Sequence, residues 1–257
     1  MESKRLFLAI QPPPDICALL ASTARKALEE ASLEPGRTQD DSNETEARSR
    51  SIGPHRTPTP IRLIGEQNLH LTLQFLGDTP AESIGRIEAA LQPRLAACPC
   101  VSLEVSRFGC FPSPRRPRVV WAGLREPGVA HRDAPADAVR SGNPRENRTA
   151  EPARPGTLLR VYGEVCSGLA ECGIRCETRP FQAHVTVGYV RREAENPGAA
   201  VRRFLECADA TLTALPAAPI RFDAVEVAVV ESRLTPKGAQ YRNLAVLPLR
   251  RDRPAPD

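Results

Sequence analysis

The sequence predicts an α+β protein in which an antiparallel sheet packs against helices. Short apolar stretches typical of strands recur along the whole chain, and stretches with helical spacing of apolar residues lie between them. Two of the strand-like stretches, residues 101–105 and 118–124, form a hairpin-like pair with no helical stretch between them. Because parallel pairing needs a long crossover, this arrangement favours an antiparallel sheet and the α+β class.

Composition limits the class of protein further. The chain has 257 residues, of which 41% are apolar, so it can bury a sizeable core. No apolar run approaches the roughly 20 residues of a membrane-spanning helix, and the N-terminal apolar run is too short for a secretory signal. The net charge of +4 permits a nucleic-acid or phosphate partner without requiring one. We therefore expect a cytoplasmic protein that does not engage a membrane.

The eight cysteines match no zinc-binding pattern. Cys98 and Cys100 are separated by one residue rather than two, and no second pair accompanies them. Without a secretory signal, free thiols in a reducing cytosol are the expected state. We predict neither a metal site nor a disulfide.

The first half of the chain predicts two strands, each followed by a helix. Residues 5–10 are the first strand, and residues 14–33 carry the apolar stripe of a helix. Residues 69–76 are the second strand. The segment Thr79-Pro80-Ala81-Glu82 then supplies a cap, a first-turn proline and a capping-box glutamate, which predicts that a helix begins there.

The second half repeats strand and helix patterns. In chain order it predicts strands at 101–105 and 118–124, a helix at 157–171 closed by Gly173, a strand at 181–190, a helix from Asn196-Pro197, and strands at 220–230 and 244–249.

Two segments lack the composition of a packed domain. Residues 34–60 and 126–156 are rich in Pro, Gly, Ser, Asn and mixed charge, and neither contains an aromatic residue. Such stretches bury too little apolar surface to offset the entropy of ordering. We predict one domain over residues 1–257 with two flexible surface insertions, in which His55 and His131 are solvated.

A short motif occurs twice in apolar strands. The first motif is His70-Leu71-Thr72 and the second is His184-Val185-Thr186. Side chains alternate between the two faces of a strand, so each histidine shares a face with its threonine while the apolar neighbours face the opposite way. A polar pair in such a strand is costly unless it is satisfied. Each strand can therefore pack its apolar face on helices and present its polar pair on the other side.

Two such pairs suit displacement at phosphorus. Imidazole titrates near neutral pH, so one histidine can act as a base while the other acts as an acid. Threonine hydroxyls can donate to non-bridging phosphate oxygens as charge builds there. No carboxylate cluster accompanies either motif, which disfavours a metal-dependent phosphatase, and no Gly-x-Ser-x-Gly elbow indicates a serine hydrolase.

These motifs resemble the signatures of the 2H phosphoesterase superfamily. The sequence segments around the motifs are similar to those of the bacterial RNA 2′,3′-cyclic phosphodiesterases, formerly called 2′-5′ RNA ligases. Those segments are Arg5-Leu6-Phe7-Leu8-Ala9-Ile10, Phe75-Leu76-Gly77, Arg118-Val119-Val120-Trp121, Arg179-Pro180-Phe181 and the tail that includes Ser232-Arg233-Leu234. The resemblance implies a bilobal α+β fold, with two lobes related by a pseudo-twofold axis and a central cleft between them.

The same resemblance implies a reaction and roles for the motif residues. It implies metal-independent opening of a terminal 2′,3′-cyclic phosphate on RNA to leave a 2′-phosphate, with no cofactor. His70 would be the general acid and His184 the general base, although the sequence leaves the reverse order open. Thr72 and Thr186 would hold the phosphate.

The second motif departs from the family pattern. Family members often carry an arginine five residues after the second histidine, and this chain has Tyr189 there. Strict alternation turns Tyr189 away from His184, unless Gly188 introduces a bulge. We expect Arg191 to supply the missing positive charge to the phosphate.

Three readings of the function stay open. The first is a phosphodiesterase acting on RNA ends or nucleoside 2′,3′-cyclic phosphates, as a monomer. The second is an RNA-end-binding protein that turns nothing over. The third is an enzyme that joins or cleaves 2′-5′ linkages, because an acid–base pair works in both directions.

Overall fold

The protein is built from strands and helices that are mixed along the chain. The computed structural model describes residues 2–32, 60–129, 156–194, 197–216, 218–236 and 238–251. The strands are β1 (Ser3–Ile10), β2 (Ile61–Leu63), β3 (Leu71–Pro80), β4 (Val101–Phe111), β5 (Val119–Arg125), β6 (His184–Val190), β7 (Arg221–Ala224), β8 (Glu226–Thr235) and β9 (Gly238–Pro248). The helices are α1 (Pro14–Ser32), α2 (Ile84–Ala96), α3 (Thr157–Glu171) and α4 (Pro197–Thr213).

The described strands form one curled antiparallel sheet. Their order is β7-β4-β5-β6-β3-β1-β8-β9, and β2 pairs with β6 beside this path. All of the named pairings are antiparallel, including β4 with β5, the hairpin-like pair expected from the sequence. The predicted α+β class is therefore confirmed.

The sheet has one face buried under the helices. Helix α1 packs against α4, and α2 packs against α3. Alternate strand residues, such as Leu71 and Val185, are fully buried in the large core that these helices cover. None of the described helices is long and apolar enough to cross a membrane. The opposite face carries the histidine and threonine of each motif, as the alternation predicted.

The predicted start of the second helix is wrong. Thr79 and Pro80 end β3, where they pair with Lys4 and Ser3 of β1, and α2 begins only at Ile84 after a single 3-10 turn. The Thr79 hydroxyl donates to the carbonyl oxygen of Gly77 rather than capping a helix. The pairing with β1 holds this segment in the strand despite its capping-box sequence.

Several strand boundaries also differ from the expected ones. The predicted strand at 220–230 is two strands, β7 and β8, which pair with different partners. Strand β9 begins at Gly238, well before the expected residue 244, because it pairs along the whole of β8. The short strand β2 lies just after the expected insertion and was not predicted.

Most of both predicted insertions, residues 34–59 and 130–155, lies outside the described residues, as do His55 and His131. The start of the second insertion differs from the expectation. Glu126 is buried, and its carboxylate accepts hydrogen bonds from the backbone N–H groups of Thr157 and Leu158 at 2.8 and 2.7 Å. It caps the N-terminus of α3, where a carboxylate is favoured.

Two of the cysteines are joined, contrary to the expectation of free thiols. Cys166 of α3 forms a disulfide with Cys176, which lies in the irregular segment between α3 and β6. Their spacing in the chain does not predict this pair, because connectivity depends on which side chains the fold brings together. The bond ties the segment leading to the second motif to α3.

Candidate active site

The two motifs lie side by side at the centre of the sheet. Strands β3 and β6 pair through the middle residue of each motif. In an antiparallel ladder this register sets His70 across from Thr186 and Thr72 across from His184. The four side chains share the face of the sheet that the helices leave uncovered. The structure therefore brings together both predicted acid–base residues and both predicted phosphate-binding hydroxyls.

Each imidazole is oriented in the same way by its own backbone. Nδ1 of His70 lies 2.8 Å from the carbonyl oxygen of Asn68, and Nδ1 of His184 lies 2.7 Å from that of Gln182. A carbonyl oxygen can only accept, so each Nδ1 must carry the proton. The neutral ring then presents an unprotonated Nε2, which is the atom available for acid–base chemistry.

Burial lowers the pKa of both histidines. Desolvation is the main cause at His70, opposed by the hydrogen bond to Asn68 and reinforced by the charge of His184. Desolvation is also the main cause at His184. Both rings are therefore neutral at pH 7 in the free protein.

Aromatic side chains enclose each imidazole. The ring centroids of Phe7 and Tyr241 lie 4.7 and 5.2 Å from that of His70. On the other side, the centroids of Phe111 and Trp121 lie 5.0 and 6.1 Å from that of His184. These contacts supply the burial that lowers the pKa of each ring and restrict its rotation.

A bulge follows each motif. In β3 the register with β1 shifts after Thr72, so Leu73 has no partner, and in β6 the register with β5 shifts after Thr186, so Val187 has none. Each extra residue reverses the alternation. Phe75 and Tyr189 consequently lie on the cleft face with the motif residues. The bulge lies at Val187, one residue before the Gly188 at which it was considered, and strict alternation gives the wrong face for Tyr189.

The open face forms a cleft with two adjoining cavities. One, of about 600 Å³, contains His70, and the other, of about 590 Å³, contains His184. Both are lined by the two threonines and by the two aromatic residues that follow the bulges, Phe75 and Tyr189. The two threonines therefore lie where the cavities adjoin, and each imidazole lines one of them.

Positive charge reaches the cleft from residues that the sequence did not single out. Arg5 and Arg62 line the cavity at His70, and Arg179 lines the cavity at His184. Arg191, the expected source of charge, follows β6 and does not line either cavity; its backbone N–H donates to the carbonyl oxygen of Pro60. Arg62 pairs with Tyr189 across the β2–β6 ladder, a neighbour that only the fold reveals.

Within the described ranges, no group of three or more His, Cys, Asp and Glu side chains could hold a metal ion. The side chains that line the two cavities include hydroxyls, arginines, amides, aromatic rings and the carboxylate of Glu177. The imidazoles can transfer protons, and the hydroxyls and arginines can donate hydrogen bonds to an anion.

An antiparallel sheet that sets two His-x-Thr strands side by side in one cleft has the arrangement of the two-histidine phosphoesterases. Known proteins with similar sequences support this class. Residues 40–121 match the family model described as LigT-like phosphoesterase. The resemblance to LigT-like 2H phosphoesterases seen in the sequence is therefore confirmed.

Curated relatives extend this similarity beyond the first motif. A protein of Archaeoglobus fulgidus named RNA 2′,3′-cyclic phosphodiesterase is 29% identical over 189 residues, which cover 72% of this chain and 82% of the relative. One of the same name from Aeropyrum pernix is 28% identical over 190 residues, covering 73% and 86%.

Solved structures share the fold. The TT0787 protein of Thermus thermophilus superposes with a TM-score of 0.59 at 20% identity, covering 97% of this chain and all (100%) of that one. Escherichia coli LigT, solved with 3′-AMP, superposes with a TM-score of 0.56 at 20% identity, covering 96% and 99%. At this identity the likeness concerns the fold alone.

Proposed function

We propose that this protein hydrolyses terminal 2′,3′-cyclic phosphates of RNA to 2′-phosphates by acid–base catalysis without a metal ion. The observation that carries the proposal is the matched pair of imidazoles, each with Nδ1 held by a backbone carbonyl and Nε2 left for substrate. The names of the curated relatives support the choice of substrate.

The reaction needs one proton taken and one proton given. One Nε2 accepts a proton from water as the water oxygen bonds to phosphorus. The other Nε2, protonated, gives its proton to the 3′ oxygen as the P–O3′ bond breaks. The products are a 2′-phosphomonoester and a free 3′-hydroxyl. We assign His70 as the acid and His184 as the base, following the family resemblance.

Thr72 and Thr186 complete the phosphate site in this proposal. Their hydroxyls donate hydrogen bonds to the non-bridging oxygens, which gain charge in the transition state. Arg62 adds positive charge from the same cavity as His70. Arg191 stays in the proposal as a residue that attracts the RNA backbone from outside the cavities.

The test is incubation with nucleoside 2′,3′-cyclic phosphates, with chromatography that separates the 2′- from the 3′-monophosphate. We expect the 2′-monophosphate, at a rate unchanged by EDTA. Replacing either His70 or His184 with alanine should lower kcat by about a hundredfold or more, because general acid–base groups contribute at least that much. Loss of activity on chelation, or variants as active as the parent, would overturn the mechanism.

The same assay separates the competing functions. Binding of cyclic-phosphate-ended RNA without any product would identify a non-catalytic RNA-end-binding protein. Joined ends, or cleavage of a 2′-5′-linked dinucleotide in preference to the cyclic phosphate, would identify a ligase or a 2′-5′ phosphodiesterase. A monomeric state and a cytoplasmic location are also part of the proposal, and light scattering tests the first.

A further inference from the structure

We propose that Phe75 and Tyr189 are the residues that stack on the nucleobase and so make the protein selective for nucleoside cyclic phosphates over base-free ones. This inference rests on the proposed function. It names two specificity-determining side chains that belong to neither the acid–base pair nor the phosphate-binding hydroxyls.

The two rings occupy equivalent positions after the two motifs. Phe75 stands five residues after His70, and Tyr189 stands five residues after His184. Neither would reach the cleft by simple alternation. The bulge after each threonine turns the ring onto the motif face. The same backbone device thus presents an aromatic ring beside the phosphate site in both halves.

Both rings are exposed to solvent. Most large apolar side chains of the described residues are buried, yet Phe75 is 58% exposed and Tyr189 is 41% exposed. An aromatic ring left open to water gains nothing from burial in the free protein. Both rings line both cavities, so their open surface lies within the cleft. This is the placement expected of a stacking surface for a ligand.

Tyr189 has a cationic neighbour. The guanidinium carbon of Arg62 lies 5.8 Å from the centroid of the Tyr189 ring, in a cation–π arrangement. Within the part of the chain described by the structure, no carboxylate pairs with Arg62. The contact fixes the ring beside a positive charge. A base on this ring therefore places its attached phosphate near a cation.

Stacking on these rings has a definite consequence for specificity. Every base has a π-face, so stacking tolerates all four bases while rejecting a substrate that has none. Loss of one such ring by alanine substitution typically weakens binding of one base by about fivefold to a hundredfold. The contribution of the base to kcat/KM should fall by a factor in that range.

The experiment compares two substrates in each variant. One is adenosine 2′,3′-cyclic phosphate, and the other is methyl β-D-ribofuranoside 2,3-cyclic phosphate, which lacks a base. We expect the ratio of their kcat/KM values to fall about fivefold to a hundredfold in F75A and in Y189A. F75Y and Y189F keep the aromatic face and should keep the ratio. Unchanged ratios in both alanine variants would overturn the inference.

A control variant outside the cleft and a binding measurement complete the test. Leu159 is 45% exposed on α3 and does not line either cavity, so L159A should leave both rates unchanged. If the parent protein turns over neither substrate, the proposed function fails while the inference stays testable. Calorimetry with adenosine 2′-phosphate and ribose 2-phosphate then decides it, because Y189A and F75A must erase the preference for the nucleotide.

Discussion

At the scale of single residues, the backbone carbonyls of Asn68 and Gln182 determine which nitrogen of each histidine faces the cleft. Each carbonyl belongs to the residue two positions before its histidine, so the orientation is built into the local chain. The phosphate site therefore receives two equivalent Nε2 atoms. The difference between acid and base must come from protonation.

The lowered pKa values of His70 and His184 predict the pH dependence of the reaction. Catalysis needs one ring protonated and one neutral. Both pKa values lie below the usual 6.5 in the free protein, so kcat/KM should peak below pH 6.5 and fall on either side. A bound phosphate anion raises both pKa values, so the kcat profile should lie at higher pH than that of kcat/KM. Initial rates from pH 4 to 9 provide the check, and coincident profiles would contradict it.

The hydroxyls of the motifs give a second prediction at this scale. T72V keeps the shape of the side chain but removes its donor, so kcat should fall by about a hundredfold or more, as for a lost oxyanion donor. T72S restores a hydroxyl and should recover most of the rate. Steady-state kinetics on a nucleoside cyclic phosphate measure both. An equal loss in T72S would point to packing rather than to hydrogen bonding.

At the scale of elements, the strand pattern shows what a sequence can and cannot reveal. Period-two alternation correctly places His70 with Thr72 and buries Leu71, because a strand with one face in the core must alternate. It fails beyond the threonines, where the bulges turn Phe75 and Tyr189 to the cleft. Gly188 hinted at one bulge, whereas nothing about Leu73 marks the other.

The pairing of strands that are distant in the chain could not be predicted from the sequence either. Arg62 lines the cleft because β2 pairs with β6, and residues so far apart in the chain carry no local signal of their contact. Similarly, Thr79 and Pro80 read as the start of a helix but pair with β1. The family resemblance supplied the convergence of the two motifs, which composition and spacing alone could not give.

The disulfide of Cys166 and Cys176 predicts a stability effect at the scale of the segment that it closes. The segment also carries Phe181, which stacks on Tyr162 of α3 with ring centroids 4.4 Å apart. C176S should lower the free energy of unfolding by roughly 2–3 kcal/mol, as removal of a short-loop disulfide typically does. Thermal melting with and without a reductant measures this.

The control for this prediction is the double variant C166S/C176S. Its melting temperature should not respond to reductant, whereas that of the parent should fall. C207S removes a free cysteine and should leave the response of the parent intact. A parent protein indifferent to reductant would show that the bond does not contribute to stability.

At the scale of the whole molecule, eight of the nine described strands form two four-stranded halves that meet at one junction, and β2 pairs with β6 beside them. The order β7-β4-β5-β6 is followed by β3-β1-β8-β9, and the halves join where Leu71 pairs with Val185. Each half carries one motif at its inner strand. The relative position of the two histidines therefore depends on this strand junction and on the packing of α1 against α4, which also joins the two halves.

The second insertion gives a prediction at this scale. The carboxylate of Glu126 bonds directly to the N–H groups of Thr157 and Leu158, so the chain on the two sides of residues 130–155 is already joined in space. Replacing residues 130–155 with a short Gly-Ser linker should change kcat/KM and melting temperature little. E126A in the full chain should lower stability by about 1–2 kcal/mol through loss of a helix cap. Large loss of activity in the linker variant would assign the insertion a role in substrate binding.

In the proposed mechanism, the imidazoles of His70 and His184 converge on one phosphorus centre. Nitrogen NMR of a histidine-labelled sample during titration with inorganic phosphate tests it directly, with H70A and H184A providing the assignments. We expect the Nε2 signals of both rings to shift together with one dissociation constant and their pKa values to rise, while His55 and His131 stay unchanged. A response of only one ring, or two rings responding with different constants, would contradict the account.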